Sequence, residues 1–214
     1  MGKVVAEVSI SLDGYVAGPS PTLEEPLGKG GELLHQWILR LKTFRELHGM
    51  EGGEVDSDDE VMAESVRAQG AVVMGRRMFS GGEGPWEDDP NTAGWWGDEP
   101  PFHKPVFVVT HHDREPLVLG ETTFTFVTDG VTAAVEQARA AAPAELDVLI
   151  AGGADTIDHA LAAGVVDELQ LHVAPVLLGG GTRLFAGLGA ERPRLELASV
   201  RESPYASHLR YRIA

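Results

Sequence analysis

The stretch Ala71–Phe79, AVVMGRRMF, decides the fold of this chain. Four apolar residues come first, a glycine and two arginines follow, and an apolar pair completes the stretch. This pattern predicts a buried parallel strand, a tight turn at Gly75 and the first turn of a helix. Such a junction combines free backbone N–H groups, the positive end of a helix dipole and guanidinium groups, which together suit a phosphate. The alternative is that Arg76 and Arg77 are solvated charges on an exposed turn.

The composition excludes several classes of protein. A length of 214 residues favours one domain, and an apolar fraction of 43% is enough for a full core. No segment reaches the roughly 18 apolar residues that a membrane helix needs. A formal charge of −16 argues against a nucleic-acid partner. The chain has no cysteine, and Met1–Ser11 lacks the pattern of a signal peptide, so we expect a cytoplasmic protein.

The first strand is predicted at Lys3–Leu12, where β-branched and apolar residues alternate loosely. It enters a loop that begins with Asp13 and Gly14, a pair typical of turns. A carboxylate just beyond the carboxyl end of a strand is well placed for a site in an α/β sheet. Asp13 is therefore either a functional carboxylate or a residue that hydrogen-bonds nearby backbone N–H groups in an ordinary turn.

Two helices are expected between the first strand and the Gly-Arg-Arg turn. Apolar residues recur at helical spacing through Glu32–His48, which predicts one helix with a single apolar stripe. Gly49–Asp59 is acidic and glycine-rich and is predicted to be a mobile surface loop. A second helix should then run through Gln69, with Gly70 as its stop signal.

Ser80–Pro105 is the least regular stretch of the sequence, and it contains three of the four tryptophans. Irregular segments of about 25 residues are unusual in a compact domain. The tryptophans either flank a binding site or pin the loop to the body of the protein.

Two later strand ends carry chemistry that would complement the arginines. The predicted strand Pro105–Thr110 ends in a threonine hydroxyl and is followed by the imidazole of His111, so two polar groups lie at this strand end. The strand Leu146–Ala151 opens into Gly152–Thr156 before the helix Ile157–Ala163, so bare backbone could contact a diphosphate. The alternatives are a polar turn in the first case and close helix packing in the second. Adjacent histidines in a strand point to opposite faces, so no metal site is predicted.

The remaining elements complete an α/β pattern. Alternating segments at Arg194–Arg201 and His208–Ile213 predict an antiparallel pair at one edge of the sheet. The expected architecture is a three-layer αβα domain over residues 1–214, with a mixed sheet that is mostly parallel and has an antiparallel C-terminal edge. The functional strand ends would lie along its carboxyl edge. The remaining predicted elements are the strands Phe124–Val127 and Val165–Val176 and the helix Val131–Ala142.

Five motifs in order resemble the dihydrofolate reductase superfamily. The chain is most similar to stand-alone reductases that resemble the C-terminal reductase domain of the bifunctional riboflavin-biosynthesis deaminase/reductase. The likeness covers most of the chain. The motifs are SLDGYVAG at Ser11–Gly18, VMGRRMF at Val73–Phe79, VFVVTHH at Val106–His112, LIAGGADTI at Leu149–Ile157 and VDELQLHVAPVLLGGGTRLF at Val166–Phe185.

The resemblance implies that NADPH is the cofactor. It assigns Arg76 to the adenosine 2′-phosphate, with Arg77 beside it. The further contacts that it implies are Gly75 in the arginine turn, Thr110 and His111 near the 2′-phosphate, Gly152, Gly153, Ala154, Asp155 and Thr156 over the diphosphate and nicotinamide, and Asp13, Gly14 and Ala17 in the loop over the nicotinamide.

The expected activity is hydride transfer from NADPH to a C=N or C=O bond of a small heterocycle that resembles a pterin or a riboflavin precursor. Asp13 would be the catalytic proton donor if burial raises its pKa, and a bound water is the alternative donor. The resemblance also implies a homodimer. The alternative function is a non-catalytic nucleotide-binding protein that has kept the NADPH cleft.

Overall fold

The computed structural model describes residues 2–22, 24–189 and 192–214. Within these residues the strands are β1 (Val4–Ser11), β2 (Tyr15–Ala17), β3 (Gln69–Gly75), β4 (Pro105–Val109), β5 (Leu117–Leu119), β6 (Thr122–Val127), β7 (Asp147–Gly152), β8 (Glu168–Ala174), β9 (Thr182–Arg183), β10 (Leu195–Glu202) and β11 (Ser207–Ile213). The α-helices are α1 (Gln36–Leu39), α2 (Lys42–Leu47), α3 (Ser57–Ala68), α4 (Arg76–Ser80), α5 (Gly130–Ala141) and α6 (Ala154–Ala162). Two short 3-10 helices span Gly31–His35 and Trp86–Asp88.

Nine of the described strands form one mixed sheet in the order β10-β11-β8-β1-β7-β3-β4-β6-β5. The six strands from β8 to β6 are parallel, and β11 and β10 continue the sheet in antiparallel fashion. The predicted mixed α/β sheet with an antiparallel C-terminal edge is therefore confirmed. The short strand β5, which the sequence analysis did not predict, adds an antiparallel pair at the opposite edge. Strands β2 and β9 pair separately.

The register of the parallel strands separates two apolar faces. One row of paired residues consists of Val5, Leu149, Val72, Val106 and Phe124, and the adjacent row consists of Ala6, Ile150, Val73 and Phe107. Successive residues of a strand point to opposite faces, so the two rows lie on opposite sides of the sheet. The second row packs with α5 and α6. The first row faces α4 and part of Ser80–Pro105, called the tryptophan-rich segment below.

Gly70 lies inside β3 instead of ending the preceding helix. The helix α3 ends at Ala68, one residue before the strand begins. A Cβ atom on Gly70 would lie 2.8 Å from the Cβ of Ala142 and 2.9 Å from the Cβ of Leu146. The prediction of a helix stop was wrong because this glycine serves close packing between the strand and the end of α5.

The predicted helix Glu32–His48 is divided into a 3-10 helix, α1 and α2. The break lies at Leu41, whose backbone is extended. Glu54 returns beside the break, where its N–H donates to the Arg40 carbonyl and its carbonyl accepts from the Lys42 N–H, both at 2.9 Å. The prediction of a single helix was wrong because the backbone groups of Arg40 and Lys42 form hydrogen bonds with Glu54 of the acidic loop instead of bonds within one continuous helix. The same loop binds the Arg40 guanidinium through three carboxylates, of Glu54, Asp56 and Asp58.

A buried pair of histidines joins the helical layer α1–α3 to the sheet. His172 on β8 and His208 on β11 lie opposite each other, with their Nδ1 atoms 2.7 Å apart. The Nε2 of His172 is 2.9 Å from the Glu7 carboxylate, and the Nε2 of His208 is 2.9 Å from the Asp58 carboxylate. Trp37 of α1 packs against both rings.

Each Nε2 faces a carboxylate oxygen to which it can donate, whereas the Nδ1–Nδ1 contact of 2.7 Å has room for only one proton. Two N–H groups cannot face each other at this distance, so a proton on both Nδ1 atoms would break the contact.

We expect acid to destabilise the folded protein through this pair. Burial holds the pKa of His208 below its ordinary 6.5 despite the hydrogen bond to Asp58. Burial alone would raise the pKa of Glu7, but the hydrogen bond and charge of His172 hold it below 4.5. As the pH falls below about 6.5, the unfolded His208 binds a proton that the folded side chain does not, so stability decreases. Protonation of Glu7 adds a further loss below pH 4.5.

Thermal unfolding between pH 7 and pH 5 measures this effect. The midpoint of the wild type should decrease over this range, and His208→Gln should show a smaller decrease from a lower starting value. His111→Gln, at an exposed histidine, is the control and should follow the wild type. An equal decrease in the wild type and in His208→Gln would contradict the assignment.

Candidate functional site

The parallel strands bring the predicted site elements to one edge of the sheet. The turns that follow β3 and β7 are in direct contact there. A Cβ atom on Gly75 would lie 2.4 Å from the Thr156 hydroxyl, so a larger residue at the end of β3 would have to displace that side chain. The Arg77 guanidinium lies 3.5 Å from the carboxylate of Asp155 in the first turn of α6.

The turn between β7 and α6 leaves backbone exposed for a ligand. Gly152 has a φ of 128°, which favours glycine. Gly153 is the N-cap of α6, and no side chain caps the helix there. A Cβ atom on Gly153 would meet nothing within 4 Å. The first N–H groups of a nine-residue helix thus adjoin open space, an arrangement that suits an anion.

Arg76 does not have the exposed position that a solvated charge would have. Only 6% of the residue is exposed. Its guanidinium forms an ion pair with Asp89, donates to the Ser80 hydroxyl and stacks on the Trp86 ring, with its central carbon 3.3 Å from the ring centroid. The predicted phosphate-binding group is therefore inside the protein and has an anionic partner of its own.

The side chain of Asp89 is buried even more deeply than that of Arg76. It accepts hydrogen bonds of 2.8 Å from the Ser80 hydroxyl and from the Asn91 backbone N–H. Burial opposes the ionisation of Asp89, but these hydrogen bonds and the Arg76 guanidinium outweigh it and hold the pKa below its usual range. Asp89 is therefore ionised at neutral pH, and the buried pair consists of two full charges.

Arg77 differs from its neighbour because its side chain is largely exposed. It contacts the carboxylate of Glu83 as well as that of Asp155. Exposed ion pairs contribute little free energy and are exchanged easily. Arg77 is therefore available to an anionic ligand beside the turn at Gly153.

Arg76, Asp89 and Trp86 form a cluster, called the arginine cluster below, and the end of β4 contacts it through Trp86. The indole N–H of Trp86 donates to the His112 carbonyl at 2.7 Å. Thr110 is buried, and its hydroxyl accepts the His112 N–H at 3.2 Å, whereas His111 is exposed. The Thr110 hydroxyl is thus hydrogen-bonded within its own turn. Of the two predicted contacts, His111 is the more accessible to a ligand.

The tryptophan-rich segment packs onto the body of the protein. Trp86 contacts Phe79 and Phe126 edge to face, and Trp96 contacts Phe102 in the same way. Trp86 and Trp96 therefore fit the second of the two alternatives, in which the tryptophans hold the segment on the body of the protein.

Asp13 is held as an ionised carboxylate and is not a buried acid. It accepts hydrogen bonds from the Ser11 hydroxyl at 2.6 Å and from the backbone N–H groups of Gly179 and Leu178 at 2.7 and 3.1 Å. The Ser11 hydrogen bond, with those of Gly179 and Leu178, lowers its pKa to about 2. The condition under which Asp13 would donate a proton, a pKa raised by burial, is not met, because the carboxylate is partly exposed and accepts three hydrogen bonds. In this arrangement Asp13 connects the β1–β2 loop to the glycine-rich turn before β9.

The neighbouring loop residues belong to the same connection. The Arg183 guanidinium donates to the Asp13 carbonyl at 3.2 Å and lies against Gly14. Ala17 pairs with Thr182 across β2 and β9. The predicted nicotinamide loop is therefore a defined structure at the ends of β1 and β8.

Sequence analysis missed three residues in or beside the arginine cluster. Trp86 and Asp89 surround Arg76, and the Arg114 guanidinium lies over the rings of Trp86 and Phe126, 4.4 and 4.7 Å from their centroids. None of the three lies in a strand or an α-helix, so no periodicity marks the contacts. The only available signal was the density of tryptophans beside the Gly-Arg-Arg turn.

Among the described residues, no helix is both long and apolar enough to cross a membrane.

Solved structures share this architecture over nearly the whole chain. A protein of Shewanella sp. PV-4 named for riboflavin biosynthesis aligns over 99% of both chains, with 19% identity and a TM-score of 0.64. The bifunctional deaminase/5-amino-6-(5-phosphoribosylamino)uracil reductase of Thermotoga maritima has 14% identity and a TM-score of 0.58, over all of this chain and 57% of the other. The riboflavin biosynthesis reductase of Saccharomyces cerevisiae also has 14% identity, with a TM-score of 0.52, and is covered over 89% of its length.

These likenesses show the fold that the sequence resemblance implied. No curated protein matches the sequence significantly. The model of one protein family, the RibD C-terminal domain, matches residues 2–208, which is almost the entire chain. The protein therefore belongs to the RibD C-terminal domain family.

Proposed function

We propose that this protein is an NADPH-dependent oxidoreductase that reduces a C=N or C=O bond of a small heterocyclic substrate. The observation that carries the proposal is the open, uncapped start of α6 at Gly153, which adjoins the end of β3. Membership of the RibD C-terminal domain family supports an oxidoreductase.

The described residues fit the diphosphate of a dinucleotide. The backbone N–H groups of Ala154, Asp155 and Thr156 would hold it, and Arg77 would contribute a positive charge beside them. The loop with Gly14 and Ala17 would cover the nicotinamide, and His111 would approach the 2′-phosphate. Arg76, in contrast, can contact the 2′-phosphate only if its pair with Asp89 opens.

Bound NADPH would supply the hydride, and the protein would orient the cofactor and the substrate and exclude water. Structural neighbours are named as a 5-amino-6-(5-phosphoribosylamino)uracil reductase and a riboflavin biosynthesis reductase. We therefore propose a substrate of the same class, a riboflavin precursor or a pterin-like heterocycle. Because Asp13 is ionised and accepts three hydrogen bonds, we propose that the accompanying proton comes from a water molecule.

A bulky residue at Gly153 tests the binding mode. Gly153→Val would project its side chain into the open space before α6, where it meets no protein atom but would occupy the place of the diphosphate. We expect NADPH affinity, measured by titration of nucleotide and protein fluorescence, to fall at least ~10-fold, or about 1.4 kcal/mol.

The matched control is Ala162→Val, which introduces the same side chain at the exposed far end of α6. It should bind NADPH like the wild type, and thermal unfolding should show that both variants are folded. Unchanged affinity in a folded Gly153→Val protein would contradict the proposed site.

The second candidate is a nucleotide-binding protein without catalysis. The observation that favours it is the environment of Asp13, whose hydrogen bonds lower the pKa of the predicted proton donor instead of raising it. Consumption of NADPH with a panel of pterins, flavin precursors, quinones and aldehydes separates the two functions. Tight binding without consumption on any substrate would support the second.

We also propose that the protein is a homodimer that pairs through β10. Every residue of this edge strand is exposed, including Leu195, Leu197 and Val200, and Leu197 is 59% exposed. An edge strand with apolar side chains is suited to a second copy of the chain. Light scattering after size-exclusion chromatography should give twice the chain mass for the wild type and the single mass for Leu197→Lys. A monomeric wild type would contradict this proposal.

A further inference from the structure

We propose that Asp89 competes with the ligand phosphate for Arg76 and thereby reduces the preference of this protein for NADPH over NADH. The inference rests on the proposed function, because it concerns the adenosine end of the same dinucleotide. It assigns to Asp89 a role in cofactor specificity.

The geometry gives Asp89 the position of an anionic ligand. A carboxylate and a phosphate both bind a guanidinium through negatively charged oxygens, and each occupies its N–H donors. Arg76 directs one terminal nitrogen to Asp89 and the other to Ser80, while Trp86 covers one face of its guanidinium. These contacts leave the arginine 6% exposed, so a phosphate can reach it only after the Asp89 carboxylate withdraws.

The contacts of Asp89 define what withdrawal would break. Its carboxylate would lose the ion pair with Arg76 and the hydrogen bonds from the Ser80 hydroxyl and the Asn91 N–H. Asp89 lies just after a three-residue 3-10 helix in an irregular segment, so its displacement leaves the sheet ladder intact. Trp86 can stay in place, because its indole N–H is bound to the His112 carbonyl on the β4 side.

The competition acts on only one of the two dinucleotides. The 2′-phosphate of NADPH is an anion that can replace the carboxylate on Arg76, whereas NADH has a neutral hydroxyl at that position. Part of the binding free energy of NADPH is therefore used to displace Asp89, and NADH binding is independent of it. Removing the negative charge of Asp89 should tighten NADPH binding selectively.

Asp89→Asn provides the test, since asparagine has nearly the same shape and its one amide oxygen can still accept the hydrogen bond from the Asn91 N–H. We expect NADPH affinity to rise at least ~10-fold, or about 1.4 kcal/mol, with NADH affinity changing less than about twofold. Asp88→Asn removes the same charge from the exposed neighbouring residue and controls for long-range attraction in a protein of net charge −16.

The outcomes separate this inference from the proposed function. If the wild type binds NADPH and Asp89→Asn binds it no more tightly than Asp88→Asn, the inference is overturned and the proposed function stands. If no variant binds either dinucleotide, both are overturned.

A measurement on the wild type covers the case in which Asp89→Asn does not fold. The NMR signal of the Trp86 indole N–H, assigned by Trp86→Phe, reports on the ring that stacks on Arg76. It should shift on addition of NADPH and remain unchanged with NADH. An equal response to the two dinucleotides would overturn the inference.

Discussion

The close approach of β3 to the start of α6 is the constraint on which the site depends. Gly75 ends the central strand, and the space for its missing side chain is filled by the Thr156 hydroxyl. Because β3 and β7 are parallel neighbours, their two following turns have to share this space. The shared space places the exposed Arg77 beside the uncapped helix start at Gly153. The proposed diphosphate contact depends on this packing, since a larger residue at the end of β3 would displace the Thr156 side chain in the first turn of α6.

Two polar clusters hold the layer that lies across the sheet from α5 and α6. On the β8–β11 side, the His172–His208 pair and its two carboxylates connect three strands to the helices α1–α3. On the β3–β4 side, Arg76, Asp89 and Trp86 fasten the tryptophan-rich segment to the strand ends. Buried charges require partners, so each cluster specifies which segment covers its part of the sheet. The second cluster uses an arginine from the proposed binding edge, which couples the position of this segment to ligand binding.

The sequence was informative where periodicity or apolar runs determine structure. The buried strand before the Gly-Arg-Arg turn, the glycine turn before α6 and the alternating C-terminal pair could all be predicted from such patterns, and they define the sheet and its carboxyl edge. The break at Leu41 could not, because it depends on backbone hydrogen bonds from Glu54, thirteen residues further on. The partner of Arg76 was missed for the same reason, since Asp89 reaches it from an irregular segment. The ionised state of Asp13 depends on the nearby Ser11 hydroxyl and on donors at Leu178 and Gly179, and the last two are far away in sequence.

The most direct test of the account is a crystal structure of the protein with bound NADPH. The account predicts the diphosphate at the backbone N–H groups of Ala154–Thr156, the 2′-phosphate on the Arg76 guanidinium and the Asp89 carboxylate withdrawn from it. A dinucleotide bound away from the start of α6 would contradict the proposed site. A dinucleotide bound at α6 with the Arg76–Asp89 pair intact would retain the site and contradict the competition.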